Sequence, residues 1–351
     1  MVQIQASGNA GVTVSLNVPV ELKNEMMHQP GQHLVLLREV AGKEVRRSYS
    51  IISVPGSEHL SLGLRRHEKG LVSQDLIDNL TVGDSLQVLE PNGSFQLATT
   101  TNKQKVVAFA AGSGITPILG LANGLFAAGK ISQFDMFYCN QNTARTLCAD
   151  EVLALKDRYP ENFAVHFLMT REPQEFELLN GRLDSEKLTE FCARVVQLDA
   201  ADQVFMSGPG DMMANLTQAL IQLGLDEQII HSEHYSLESV ANSAPLADSS
   251  QTPKLPVDDS VSIEAVIDGR RRAFPLEEGE TLLEAGLNAG VELPFSCCAG
   301  VCSTCRTKVV EGEVVMDENY ALEEWEVEQG YVLACQSRPV TSKVVLDYDE
   351  R

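Results

Sequence analysis

Positive charge is scarce in this chain of 351 residues: 27 Lys and Arg stand against 49 Asp and Glu, a formal net charge of −22. Such a surface repels nucleic-acid phosphates and anionic membranes, so neither is expected as a partner, whereas a basic protein suits it. A leader signal is also missing. The opening MVQIQASGNAGVTV has no basic n-region and no apolar h-region, so a cytoplasmic protein without a signal peptide is expected. No apolar run of bilayer length is unbroken. Residues 106–129 carry no charge between Lys105 and Lys130, but Gly112, Ser113, Gly114, Thr116, Pro117, Gly120 and Asn123 interrupt them. That pattern predicts a buried strand, a tight turn and a buried helix rather than a membrane span.

What is present points to several domains, because 351 residues exceed one ordinary core. Residues 1–100 read as short alternating segments, VTVSLNV (12–18), HLVLLREV (33–40), SYSIISV (48–54) and SLQVLE (85–90), divided by Gly, Pro and Asn. They predict an antiparallel barrel or sandwich. Over 101–238 the apolar runs VVAFA, DMFYC, AVHFLM and QVFMS are uniformly hydrophobic, and helix-length segments lie between most of them. They predict an α/β domain with a parallel sheet covered on both faces. Residues 239–259, rich in Ser, Ala, Pro and Asp, read as a linker. A small domain from 260 to 351 follows, with strands at VSIEAVI and RRAFPL and a helix at TLLEAGLNAG. From residue 261 onward 18 acidic and 8 basic side chains give a net of −10 over 91 residues; the preceding 260 carry −12.

Five of the eight cysteines lie between 297 and 335. Without a secretory signal they do not imply disulfides; their clustering implies a metal centre. Cys297-x4-Cys302-x2-Cys305 with a remote Cys335 is the plant-type spacing for a [2Fe–2S] cluster, in which four thiolates hold two irons. Ala299, Gly300 and Ser303 are small enough for the loop to wrap closely. A structural zinc site usually shows two short cysteine pairs instead. Cys298 falls outside the spacing and is expected to be a bystander; Cys139, Cys148 and Cys192 read as buried thiols.

After the strand VVAFA come Ala111-Gly-Ser-Gly-Ile-Thr-Pro117, where glycine N–H groups stay open to a pyrophosphate at a helix N-terminus. Thr116 is expected to cap that helix and Pro117 to occupy its first position. The segment lacks the third glycine of a dinucleotide fingerprint, and a plain strand-to-helix turn reads the same way. A second glycine turn, Ser207-Gly-Pro-Gly-Asp211, also follows a strand and opens a helix. In the first domain, alternation places Arg47 and Tyr49 of RRSYS on one strand face, suited to a phosphate and a flavin ring. LRRHEKGLVS (64–73) adds basic residues, a glycine turn and a hydroxyl, and an ordinary exposed barrel strand reads the same way for either motif.

In this order the motifs PGQHL, RRSYSI, AAGSGITP, SGPGDMM and the cysteine loop resemble the ferredoxin–NADP reductase superfamily carrying a C-terminal plant-type ferredoxin domain. The resemblance spans nearly the whole chain. It implies a flavin β-barrel, a nucleotide-binding parallel sheet and an α+β β-grasp ferredoxin domain. It implies electron flow from NADPH or NADH to FAD, to [2Fe–2S], and to a partner protein such as a terminal oxygenase. Arg47, Tyr49, Ser50, Arg65, Gly70, Leu71, Val72, Ser73 and Tyr235 would then serve the flavin. Gly112, Ser113, Gly114, Thr116, Pro117, Gln141, Arg145, Gly208 and Pro209 would serve the nucleotide. Ser50, Ser207 and Glu233 are the candidate catalytic residues, and Cys297, Cys302, Cys305 and Cys335 the cluster ligands.

Three departures from the family pattern stand out. Ser207 takes the place of a cysteine often found before Gly-Pro. Tyr138-Cys-Asn-Gln141 replaces Tyr-Gly-Asn-Arg, which leaves NADPH against NADH open, with Arg145 close by. Glu233-His234-Tyr235 replaces Glu-Arg-Phe. FMN in place of FAD also stays open, as do acceptors such as a steroid or alkane hydroxylase or a hybrid-cluster protein. A nucleotide-sensing carrier without reductase activity is the non-enzymatic alternative. The acidic run from Asp317 to Glu328 reads either as a docking face for a basic partner or as a solvated helix face.

Overall fold

A computed structural model of the chain describes residues 3–40, 43–67, 71–93, 95–97, 102–196, 198–234, 262–277, 279–322 and 324–350. They belong to two compact units, Met1–Val240 and Ala241–Arg351. The expected linker at 239–259 and the candidate residues Gly70 and Tyr235 lie outside the described residues.

The first unit opens with six strands: β1 (Gln3–Ser7), β2 (Gly11–Asn17), β3 (His33–Val40), β4 (Lys43–Ser50), β5 (His59–Arg65) and β6 (Gln87–Val88). They pair antiparallel in two sheets, β1-β2-β5 and β4-β3-β6, which a bridge between Ile51 and Leu62 joins. Helix α1 (Leu71–Asn79) packs against β3 and β5. Alternation along the strands turns Val14, Leu34, Leu36, Leu62 and Leu64 into one buried core with Ile51 and Leu76. This is the expected antiparallel barrel. Two strands are shorter than the apolar runs that announce them. β4 ends at Ser50, because Ile51 crosses to the other sheet through its single bridge. Of SLQVLE only Gln87 and Val88 form a strand; Leu89 still donates to the Val35 carbonyl at 2.9 Å, and Pro91, without an N–H, stops the run.

The same unit continues with β7 (Gln104–Ala111), α2 (Ile115–Ala127), β8 (Ile131–Asn140), α3 (Ala149–Arg158), β9 (Phe163–Met169), α4 (Ser185–Arg194), β10 (Gln203–Gly208), α5 (Gly210–Gln222) and β11 (Ile230–His234). All five strands run parallel in the order β11-β10-β7-β8-β9, with a buried cluster on each face. The uncharged stretch 106–129 is therefore most of β7, a turn and α2, as its interruptions predict. Among the described residues no helix is long and apolar enough to cross a membrane.

Two glycines one helical turn apart let α2 lie directly on the barrel. A Cβ on Gly120 would stand 2.1 Å from the Ile51 carbonyl oxygen, and one on Gly124 would stand 2.3 Å from Pro30 Cγ. Asn123, on the same face, donates from Nδ2 to the Ile52 carbonyl at 2.7 Å. The barrel is fixed against the parallel sheet by backbone contact, which no larger side chain would permit.

The second unit comprises β12 (Ser262–Ile267), β13 (Arg270–Pro275), α6 (Leu282–Asn288), β14 (Arg306–Glu311), β15 (Val314–Met316), α7 (Glu324–Glu328), β16 (Tyr331–Leu333), β17 (Ser337–Pro339) and β18 (Lys343–Asp347). The main sheet has the order β13-β12-β18-β14-β16, with β12 parallel to β18 and the other pairs antiparallel. α6 starts on a full capping box between Thr281 and Glu284. This is the expected β-grasp arrangement. β12, β13 and α6 form where the alternating and helical patterns place them.

Candidate functional site

Strand order reverses between β7 and β10, since the chain travels outward through β8 and β9 before returning. Ligands bind at the carboxyl ends of strands beside such a switch point. Both glycine turns lie there. Gly112–Gly114 form a single 3-10 turn after β7, with Gly112 at φ +57°, and Gly210 opens α5 after β10. A Cβ on Gly114 would stand 2.0 Å from the Ser207 carbonyl oxygen, and one on Gly208 would stand 3.0 Å from Ala111 Cβ. The two turns are thus in backbone contact.

The cap expected of Thr116 does not form. The 3-10 turn runs straight into α2, whose N-cap is Gly114, and the Thr116 hydroxyl donates to the Ser113 carbonyl at 3.0 Å. Pro117 is correspondingly the third residue of α2, not the first. The glycine turn is already helical, so the helix begins two residues earlier than the Thr-Pro signal suggests.

Arg65, the last residue of β5, reaches from the barrel over this turn: a Cβ on Gly112 would stand 1.8 Å from Arg65 Nη1. Burial disfavours its charge and lowers its pKa; nearby Arg145 pulls the same way, while Tyr138 opposes. Among the described residues no carboxylate forms an ion pair with it, although the neighbouring Arg66 pairs with Asp78 at 2.6 Å. A largely buried guanidinium without a counter-charge suits an anionic ligand. Arg145 Nη1 donates to Gln141 Oε1 at 3.0 Å, so the two residues that left nucleotide choice open act as one unit at the end of β8. Tyr138, in the middle of this group, donates to the Leu147 carbonyl at 2.8 Å and lies 3.1 Å from the Gly112 carbonyl.

Ser207 and Glu233 are register partners on β10 and β11, which brings these two candidate residues side by side. Ser207 is fully buried, and its hydroxyl has no partner among the described residues. On the barrel, Arg47 and Tyr49 oppose Leu36 and Leu34 across β3. Burial pushes the Tyr49 phenol up to about 12, against the pull of Arg47 beside it. Arg47 Nη1 donates to the Arg46 carbonyl at 2.7 Å. Ser50 is fully buried at the end of β4. Val72 and Ser73 lie in the first turn of α1 with Val72 in the barrel core; Leu71 begins that helix.

In the second unit the four thiols predicted as ligands come together. Cys297 touches Cys302 and Cys335, and Cys335 touches Cys305. Cys297 Sγ accepts N–H groups from Ala299 and Val301, each at 3.4 Å, and Cys302 Sγ accepts the Cys297 N–H at 3.4 Å. Gly300, Cys298 and Ser303 adopt positive φ, which winds the loop tightly enough for these contacts. The Cys302 thiol is pushed up by its contact with Cys297 and by burial. For Cys297, contact with Cys302 favours the thiolate, but contact with Cys335 and burial outweigh it and the net shift is upward. For Cys335, contact with Cys297 is likewise outweighed by contact with Cys305 and burial. Iron binding must therefore displace protons from this shell. Among the described residues no group of three or more His, Cys, Asp or Glu side chains closes around a single metal ion. A two-iron cluster divides its four thiolates between two metals and needs no such point. Cys298, outside the x4-x2 spacing, is exposed. Tyr348, packed in the same core as Cys305 and Cys335, has a fully buried hydroxyl with no partner among the described residues. The donor set and this spare O–H fit a sulfur-rich anionic cluster.

Comparison with known proteins agrees with this geometry. Residues 7–97 match an oxidoreductase FAD-binding domain, 109–218 an oxidoreductase NAD-binding domain, and 265–340 a 2Fe-2S iron-sulfur cluster binding domain. The chain is 33% identical over 353 residues to a subunit of 1,2-phenylacetyl-CoA epoxidase from Escherichia coli K12, covering 99% of this chain and 96% of that protein. It is 30% identical to the ferredoxin reductase component of 3-ketosteroid-9-alpha-monooxygenase from Rhodococcus rhodochrous, covering 94% and 91%. The chain belongs to the ferredoxin reductase family with a C-terminal ferredoxin domain.

The reductase also shares its fold with phthalate dioxygenase reductase, at 20% identity and a TM-score of 0.56 over 99% of this chain and 96% of that one. It is an NAD(P)H-dependent oxidoreductase whose cofactors are FAD and a [2Fe–2S] cluster. Sequence reasoning missed Tyr138 as a strut, Gly63 and Tyr348. Gly63 is where the barrel meets the nucleotide-binding half: a Cβ there would stand 2.6 Å from Thr116 Cγ2 and 3.0 Å from Cys148 Sγ. A glycine inside an alternating strand is a signal for close backbone approach, so Gly63 was detectable. Nothing in the sequence marks Tyr348.

Proposed function

We propose that the reductase serves a separate oxygenase of the phenylacetyl-CoA epoxidase type, in the cytoplasm and in phenylacetate catabolism. The observation that supports this reading is likeness to the Escherichia coli epoxidase protein along almost the full length of both chains. A steroid monooxygenase is the second reading, supported by the 30% identity to a 3-ketosteroid-9-alpha-monooxygenase reductase.

Within this reading the flavin barrel occupies 1–100, the nucleotide domain 101–238, a linker 239–259 and the ferredoxin domain 260–351. Arg47 holds the flavin phosphate, Tyr49 packs on the isoalloxazine and Ser50 serves the ring edge, with Gly70, Leu71, Val72, Ser73 and Tyr235 completing the flavin site. Gly112, Ser113, Gly114, Thr116, Pro117, Gly208 and Pro209 cradle the nucleotide; Arg65, grouped with the flavin residues on resemblance, lies on the Gly112 turn and supplies the nucleotide's counter-charge instead. Arg65 connects the two halves: it leaves a barrel strand and lies on the glycine turn of the parallel sheet. Arg145, steadied by Gln141, sets the preference between NADPH and NADH. Ser207 and Glu233 exclude water and orient the nicotinamide. FAD supplies the conversion of a two-electron hydride into the single electrons that a [2Fe–2S] centre accepts. Cys297, Cys302, Cys305 and Cys335 hold that centre.

The oxygenase assignment is tested by reconstitution. Purified epoxidase and steroid hydroxylase components are each supplied with this reductase and NAD(P)H, and product formation is measured. Turnover with the epoxidase alone supports the first reading; turnover with the steroid hydroxylase alone overturns it.

A further inference from the structure

Helix α7 is turned inside out. Its residues read Glu-Trp-Glu-Val-Glu, and the side that faces the core carries a carboxylate: Glu326 is 1% exposed, while Trp325 and Val327 are 49% and 39% exposed. Burying a charge and exposing the chain's single tryptophan costs stability twice over. The charge is compensated. Arg306 forms an ion pair with Glu326, Nε to Oε1 2.8 Å, and the same guanidinium lies 3.8 Å from the Tyr331 ring centroid. The apolar side chains of Trp325 and Val327 stay partly open to solvent.

The segment that leads into the helix is held against the thiol-bearing loops. Arg306 directly follows Cys305. On the approach to α7, the Tyr320 N–H donates to the Gly300 carbonyl at 3.0 Å and the Asp317 N–H to the Gln336 carbonyl at 2.8 Å. Both partners belong to cysteine-bearing segments, one between Cys297 and Cys302 and the other next to Cys335. Residues 317–328 include six acids and no Lys or Arg. Two of the six are internally neutralised, Glu326 by Arg306 and Asp317 by Arg338 at 2.8 Å, while Glu318 and Glu328 are exposed.

We propose that Trp325 and Val327 form the apolar centre of the surface on which the protein electron acceptor docks, within an acidic surround. The fitting partner presents lysines and arginines around an apolar patch. An apolar centre with a charged rim is the usual anatomy of a transient interface, and tryptophan is prominent among residues that dominate such energetics. The carboxylates steer the encounter, and Trp325 supplies the short-range grip. This rests on the reductase having a separate protein acceptor.

The test uses oxidised cytochrome c, a basic electron-acceptor protein, as probe on the intact holoprotein and its Trp325→Ala and Trp325→Phe variants. Calorimetric titration without nucleotide is expected to show binding to the wild type that weakens about fivefold or more in Trp325→Ala and is largely restored in Trp325→Phe. The KM for cytochrome c should rise in parallel, with NAD(P)H-dependent reduction of the dye dichlorophenolindophenol and the flavin and cluster absorbance unchanged. Equal binding by all three proteins, or no binding by the wild type, overturns the proposal. Slower bleaching of the cluster by NAD(P)H in Trp325→Ala assigns the surface to the first unit of the same chain and also overturns it. Loss of a wild-type dimer on sedimentation of Trp325→Ala assigns it to self-association, again overturning it. Failure of the wild type to reduce the dye would instead strike at the reductase reading itself, and the calorimetric contrast would stand or fall separately.

Discussion

The guanidinium of Arg65 occupies the space that a side chain on Gly112 would need: Nη1 would lie 1.8 Å from a Cβ there. One residue ends a barrel strand and the other opens the turn after the first strand of the parallel sheet. Their contact places a cation at the switch point and makes both positions sensitive.

Arg65→Ala should raise KM for NADPH and NADH together by about tenfold or more, since a charge-assisted hydrogen bond contributes about 1.5–3 kcal/mol. Gly112→Ala should have a comparable effect through displacement of the same guanidinium, with a further conformational cost of about 1–2 kcal/mol at φ +57°. Steady-state kinetics with each nucleotide checks both. An unchanged KM in Arg65→Ala would remove the residue from the nucleotide site.

Gly120→Ala should destabilise the first unit. Alanine favours the helix interior by about 1 kcal/mol over glycine. Here, however, its Cβ would meet the Ile51 backbone oxygen at 2.1 Å, and a strand carbonyl cannot yield as a side chain can. Overpacking costs about 1–3 kcal/mol. The clash should therefore win, giving a lower melting temperature by calorimetry.

His33 is buried, and burial lowers its pKa to about 4 from 6.5. The unfolded chain binds the proton first, so stability falls as pH drops through 6.5 and levels off below about 4. The maximal loss is about 3 kcal/mol at 1.36 kcal/mol per unit. Denaturant midpoints between pH 8 and 4 should show this acid limb, and His33→Gln should flatten it whatever its effect at neutral pH.

Cys298→Ser should keep the visible absorbance and electron paramagnetic resonance of the cluster, whereas serine at 302 or 305 should abolish or alter both. Tyr348→Phe should retain the cluster but lower its reduction potential, because an O–H donor to sulfur stabilises the more negative reduced state. Spectroelectrochemical titration reads that shift, and an unchanged potential would mean the hydroxyl does not reach the cluster.

The cluster shell was legible because three of its four ligands lie within nine residues and their spacing reflects local loop geometry. The parallel sheet was equally legible from uniform apolar runs such as VVAFA. Relationships between distant segments were not. Nothing local in LRRHEKG says which arginine crosses to Gly112: Arg65 does, while Arg66 pairs with Asp78 on α1. Thr116 and Pro117 carry the signals of a helix start, yet the Gly112–Gly114 turn is already helical, so the start lies upstream of them. Glu-Trp-Glu-Val-Glu lies in an acidic run that reads equally as a docking face or as a solvated helix face, with nothing to mark an inward carboxylate. Only Arg306, brought in by β14, shows that Glu326 points inward and Trp325 outward.

Electron flow from nucleotide through flavin to cluster is tested most directly by an anaerobic absorbance titration of the purified chain with NADPH and, separately, NADH. Flavin and iron–sulfur bands should both be present and both bleach on addition of nucleotide, the better reductant revealing what Gln141 and Arg145 select. A spectrum lacking either chromophore, or one that neither nucleotide bleaches, would contradict that route.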